Sequence, residues 1–117
     1  MLNFPANVRI YLCTTPTDMR KSFDGLSGLV QSVFQGSLLD GHLFLFVNRR
    51  QDRIKILYWD RDGLALWYKR LEAGTFEVPR AGADRSHVEL DATDLAMLLS
   101  GVSLASAKRR KRYAIAG

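Results

Sequence analysis

Apolar and polar positions change their period several times along this chain, and each change predicts an element. Val8-Arg9-Ile10-Tyr11-Leu12 alternates loosely and predicts a first strand. From Met19 the apolar residues recur at Phe23, Leu26, Val30, Val33 and Phe34, a helical spacing that predicts one buried stripe. Thr17 or Asp18 is placed to cap the start of that helix, and Gly36 to stop it. Gly25 and Gly28 fall inside it and each costs about 1 kcal/mol of helix propensity. Packing must therefore hold the helix, or a close approach demands glycine.

The segment 41–72, GHLFLFVNRRQDRIKILYWDRDGLALWYKRLE, switches to a period of two. It reads as a three-stranded meander at 43–47, 53–59 and 64–70, joined by turns at 48–52 and 60–63. The Asp62-Gly63 step is a strong hairpin signal because glycine accepts positive φ. Leu43, Leu45 and Val47 alternate with Phe44 and Phe46, so both faces of the sheet are apolar and both need a cover. The first helix supplies one cover, and another element or a second subunit the other. Downstream, 75–78 and 88–90 predict short strands, 80–86 a loop, and Asp91 the cap of a second helix that buries Leu95, Leu98 and Leu99 and ends at Gly101.

Length and composition add bounds. A chain of 117 residues, 47% hydrophobic and 25% charged, has room for one core and has the make-up of a globular protein. No apolar run is long enough to cross a membrane, and MLNFPANVRI lacks the pattern of a secretory signal, so cytoplasm is the expectation. The single cysteine, Cys13, closes an apolar run and reads as a small core residue rather than a nucleophile.

The net charge of +5 is unevenly distributed. Residues 1–40 balance. Residues 41–71 carry seven basic against three acidic residues, and 72–107 carries two against six. Lys108, Arg109, Arg110, Lys111 and Arg112 then form an uninterrupted cationic run. Such a tail displaces condensed counterions from a nucleic acid whatever its base sequence, so it predicts unspecific, salt-sensitive DNA affinity. Arg49, Arg50, Arg53 and Lys55 cluster in and beside the first hairpin turn, with Lys69 and Arg70 nearby. Guanidinium groups on a protruding turn reach phosphates; the plainer alternative is a charged tip that keeps a sheet edge from pairing.

Other chemistry is weakly supported. Asp18, Asp60 and Asp62 would have to converge to hold a divalent ion for phosphodiester chemistry, whereas capping and turn formation already explain all three. His42 and His87 have no cysteine near them, so no zinc site is read, and no cofactor motif is present. Tyr58, Trp59, Trp67 and Tyr68 fit a base-stacking platform less well than core packing, because Ile and Leu are interleaved with them.

Three blocks carry a family resemblance: DMRKSFDGL at 18–26, GHLFLFVNRR at 41–50 and KILYWDRDGL at 55–64. Together with LWYKRLE at 66–72, Gly74-Thr75-Phe76, the 95–101 helix and the basic end, the chain resembles the small accessory protein of the insertion sequence 66 family. That protein is the product of the element's second open reading frame. Ser22 departs from the glycine expected there. The resemblance implies a role in DNA transposition beside a separate transposase, and brings no catalytic residues with it.

The reading is then a single α+β domain over 1–107, a small, mainly antiparallel sheet packed with two helices, followed by a basic tail at 108–117. The expected function is a non-enzymatic transposition factor that contacts DNA. The alternative is an adaptor that grips the transposase through the apolar sheet or the acidic 72–107 region. Oligomeric state is left open.

Overall fold

The computed structural model describes residues 7–79 and 86–100. The basic tail, the Gly101 stop, most of the 80–86 loop and the 107/108 boundary lie outside them. The elements run β1 (Ile10–Cys13), α1 (Phe23–Leu29), a π-helical turn (Val30–Phe34), a 3-10 turn (Leu38–Asp40), β2 (Leu43–Val47), β3 (Arg53–Asp60), β4 (Gly63–Arg70), β5 (His87–Leu90) and α2 (Ala92–Leu99). The five strands form one sheet in the order β4-β3-β2-β1-β5. β2, β3 and β4 are the expected antiparallel meander. β1 lies parallel to β2, with Ile10 opposite Leu43, and β5 runs antiparallel to β1. The parallel pair follows from the helical crossover, which carries the chain back to the end at which it started.

The two apolar faces find separate covers. Leu43, Leu45, Val47, Ile54 and Ile56 share a core with Ile10, Leu12 and Leu90 beneath Leu95, Leu98 and Leu99 of α2. Phe44, Phe46, Leu57 and Cys13 pack on the other side beneath Leu26 and Val30 of the first helix. The second cover is thus α2 of the same chain. Asp91 caps α2 reciprocally: its Oδ1 accepts from Asp94 N at 2.7 Å, and Asp91 N donates to Asp94 Oδ2 at 3.2 Å.

Five local expectations are corrected. The first helix begins at Phe23 with Ser22 as N-cap and no side-chain cap, because Thr17 and Asp18 lie too far upstream. Phe23, at the exposed start of that helix, is 42% accessible and outside the stripe. The helix widens into a π turn and stops at left-handed Gln35 (φ 51°), one residue before Gly36. In the β3–β4 turn the positive φ falls on Arg61 (56°), not Gly63, and Asp62 N donates to Asp60 O at 2.6 Å across a three-residue turn. The segment 75–78 is not a strand. Phe76 instead turns wholly inward beneath the sheet, and its N–H donates to Gln51 O at 2.6 Å.

Candidate functional site

The β2–β3 turn is built around Asn48. Its Oδ1 accepts from Asp52 N (3.1 Å) and Arg53 N (3.0 Å), and its Nδ2 donates to Asp52 Oδ1 (2.7 Å). Left-handed Gln51 (φ 60°) closes the turn, its N–H donating to Asn48 O at 3.1 Å. From behind, Leu71 N donates to Asp52 O (2.8 Å) and Phe76 N to Gln51 O. These bonds hold the turn in one shape and leave Arg49 and Arg50 exposed at its tip.

Opposite the turn runs the 14–22 loop, docked to the end of β2 by Thr17 N donating to Val47 O at 2.9 Å. Between them lies an open cleft of about 450 Å³, lined by Pro16, Thr17, Asp18 and Met19 on one wall and by Asn48, Arg49, Arg50, Asp52 and Arg53 on the other. Asp18 is held by Arg20, whose Nη2 lies 2.6 Å from Oδ2 and whose N–H donates to Oδ1 at 2.9 Å. Those bonds pull the Asp18 carboxyl down to about 2. The Asp52 carboxyl is lowered chiefly by its bond from Asn48, with smaller help from Arg50 and Arg53. Both acids are therefore ionised and already engaged, and three guanidinium groups line the cleft beside them.

Arg53 stands directly opposite Arg70 in the β3–β4 ladder. Facing like charges repel, and the pair is only partly relieved: Arg53 Nη1 donates to Tyr68 Oη (3.3 Å) and Arg70 Nη2 reaches Glu72 Oε1 (3.1 Å).

Two candidate lysines are used elsewhere. Lys55 is only 6% exposed, and its Nζ donates to the carbonyls of Met19 (2.8 Å) and Lys21 (2.7 Å), 4.8 Å from the Tyr68 ring centroid. Lys69 projects from the opposite face and donates to Leu99 O at the C-terminal end of α2 (3.0 Å). Each ammonium meets carbonyl oxygens of the fold, Lys55 on one face of the sheet and Lys69 on the other. The tail cations 108–112 lie outside the described residues. Sequence reasoning passed over Asn48 and Arg20. Asn48 has a signal in hindsight, since asparagine opening a turn bonds its own backbone, but Arg20 had none.

The other candidates separate. Asp60 and Asp62 lie at the far end of β3 from the cleft that Asp18 lines, about 23 Å away at ~3.3 Å per residue. Among the described residues no group of three His, Cys, Asp or Glu side chains is placed to hold a metal ion. His42 Nδ1 accepts from Arg9 N (3.0 Å), and His42 and His87 each meet Tyr11 edge-on. Tyr58 and Trp67 pack on the α2 side, whereas Tyr68 stands over Lys55 on the other face, so the aromatic set forms no single platform. No helix among the described residues is long and apolar enough to cross a membrane.

Fold and cleft together define a small α+β protein with an arginine-rich turn held rigidly beside a docked loop. Residues 8–109 match the family model described as IS66 Orf2 like protein, and the chain belongs to that family. Similar curated proteins include y4hO of Sinorhizobium fredii, described as uncharacterized. It is 37% identical over 102 residues that span 87% of each chain. A second uncharacterized protein of that organism, y4jC, is 31% identical over 110 residues, covering 94% of this chain and 92% of its own. No solved structure matches the chain.

Proposed function

We propose that this protein is a non-enzymatic accessory factor in the transposition of an insertion sequence, and that it contacts DNA phosphates through Arg49, Arg50 and Arg53. Membership of the IS66 Orf2-like family supports the transposition role. The observation that carries the DNA reading is the convergence of three arginines on one cleft, with Arg70 beside them across the ladder. Arginine at a rigid turn reaches backbone phosphates without paying the ordering cost of a mobile loop. The run 108–112 adds sequence-independent affinity. Lys55 and Lys69 have no part in it.

Binding of the full chain to short duplexes across a salt series tests this reading. Replacing Arg49, Arg50 and Arg53 together by alanine should lower the log–log salt slope by about 3, one for each lost phosphate contact. Truncation after Ala107 should lower it further. If the unaltered protein fails to bind at low salt, direct DNA contact is abandoned. The acidic surface at Glu89, Asp91 and Asp94 then becomes the place to look for a transposase contact.

A further inference from the structure

The sheet ends at β5 on one side and β4 on the other. β5 has four residues, whereas β4 has eight, paired without a bulge from Arg70 opposite Arg53 to Gly63 opposite Asp60. Leu71 N donates to Asp52 O, so position 71 turns toward β3. Alternation along an antiparallel ladder then turns Gly63, Ala65, Trp67 and Lys69 the same way, and leaves Leu64, Leu66, Tyr68 and Arg70 with their N–H and C=O groups pointing outward. Among the described residues no main-chain group pairs with that outer row. The stretch Leu64-Ala65-Leu66-Trp67-Tyr68 holds no proline or charge, and the charges of this strand are confined to its end, at Lys69 and Arg70.

We propose that β4 is an interface between two copies of this chain, pairing antiparallel with itself about a two-fold axis at Leu66 to give one continuous ten-stranded sheet. The occupant follows from the charge polarity of the segment itself: Asp62 precedes the strand and Arg70 ends it. With Leu66 on the axis, Asp62 opposes Arg70 of the other copy, Leu64 opposes Tyr68, and Leu66 opposes its own counterpart. Main-chain bonds form only where outward-turned residues meet outward-turned residues, which restricts the register to steps of two. An axis at Trp67 sets Asp62 against Glu72 and Arg70 against Leu64. An axis at Ala65 sets Asp62 against Tyr68 and carries Arg70 past the whole β3–β4 turn to Asp60, which already pairs with Gly63 of its own chain. The Leu66 register alone joins apolar to apolar and acid to base, and it keeps both first helices on one side of the joined sheet.

Sedimentation equilibrium of the full chain, from micromolar to millimolar, should show a dimer that dissociates on dilution. Arg70→Glu should weaken it about tenfold, and Asp62→Arg added to Arg70→Glu should restore it. Leu66→Pro, which removes an outward N–H, should give a monomer with an unchanged far-UV spectrum. Because proline can unsettle the fold, Leu66→Cys gives an independent reading. An antiparallel bonded pair has its Cα atoms about 5.5 Å apart, within disulfide reach, so mild oxidation should cross-link the dimer through Cys introduced at position 66. The native Cys13 is buried and stays out of that reaction. A monomer at every concentration, a dimer that survives folded Leu66→Pro, or a dimer of Leu66→Cys that does not cross-link would overturn the proposal.

Discussion

The Lys55 ammonium donates to the Met19 carbonyl at 2.8 Å, 36 residues away in sequence, and so ties the 14–22 loop to the centre of the sheet. A second bond, to Lys21 O at 2.7 Å, holds the same loop just before the first helix begins. The wall of the arginine cleft is in this way fastened by a buried cation, and the cleft's shape depends on a residue that does not line it.

Lys55→Met keeps the aliphatic stem and removes the donor. Two inward carbonyls lose their partner, at about 1–3 kcal/mol for each group left unsatisfied. Urea unfolding should show a clearly lower midpoint. DNA affinity should fall as the loop loosens, while the salt slope stays within experimental error. A slope lower by about 1 would instead mean that Lys55 touches a phosphate.

Asp18 makes a pH prediction. Its carboxyl lies near 2 in the folded chain, below the ordinary 3.8, so ionisation favours the native state. That contribution is complete above the unfolded value and is lost as the pH falls through about 2. The Asp18–Arg20 pair is exposed, so the effect on stability is small. A carboxyl titration by NMR should place the Asp18 midpoint near 2, and Asp18→Asn should reduce the acid dependence of unfolding between about pH 5 and 2.

Phe76 is fully buried although it lies in an irregular segment. Phe76→Ala should cost about 3–5 kcal/mol, the range for a large core side chain. Because its own N–H braces Gln51, the arginine turn should also loosen as the segment shifts. Faster amide exchange at 48–53 would report it.

Gly28 has no atom within 4 Å of where a Cβ would stand, so no close approach requires glycine there. Gly28→Ala should stabilise the protein by about 0.5–1 kcal/mol through helix propensity, read as a higher thermal midpoint. Gly25 differs: a Cβ there would lie 3.2 Å from the Lys21 stem, so its gain should be smaller.

The three meander strands, the α2 cap and the buried stripe of α2 were all legible in the residues. Period-two alternation and reciprocal capping depend on neighbours a few positions apart, and those travel with the sequence. The parallel pairing of β1 with β2 was not legible, because it is decided by where a crossover returns the chain. Nor was the left-handed Arg61, since the bonds that impose a positive φ are made only when the strands close.

The candidate site divides along the same line. Sequence alone brought Arg49, Arg50 and Arg53 together, because they share one turn. It could not separate them from Lys55 and Lys69, whose charge and position looked equivalent. Only the tertiary structure decided that Lys55 is held by carbonyls of the 14–22 loop and Lys69 by the end of α2. The reason is physical: alternation sends neighbouring strand residues to opposite faces, and whether a cation there meets solvent or a carbonyl depends on a segment thirty or more residues away.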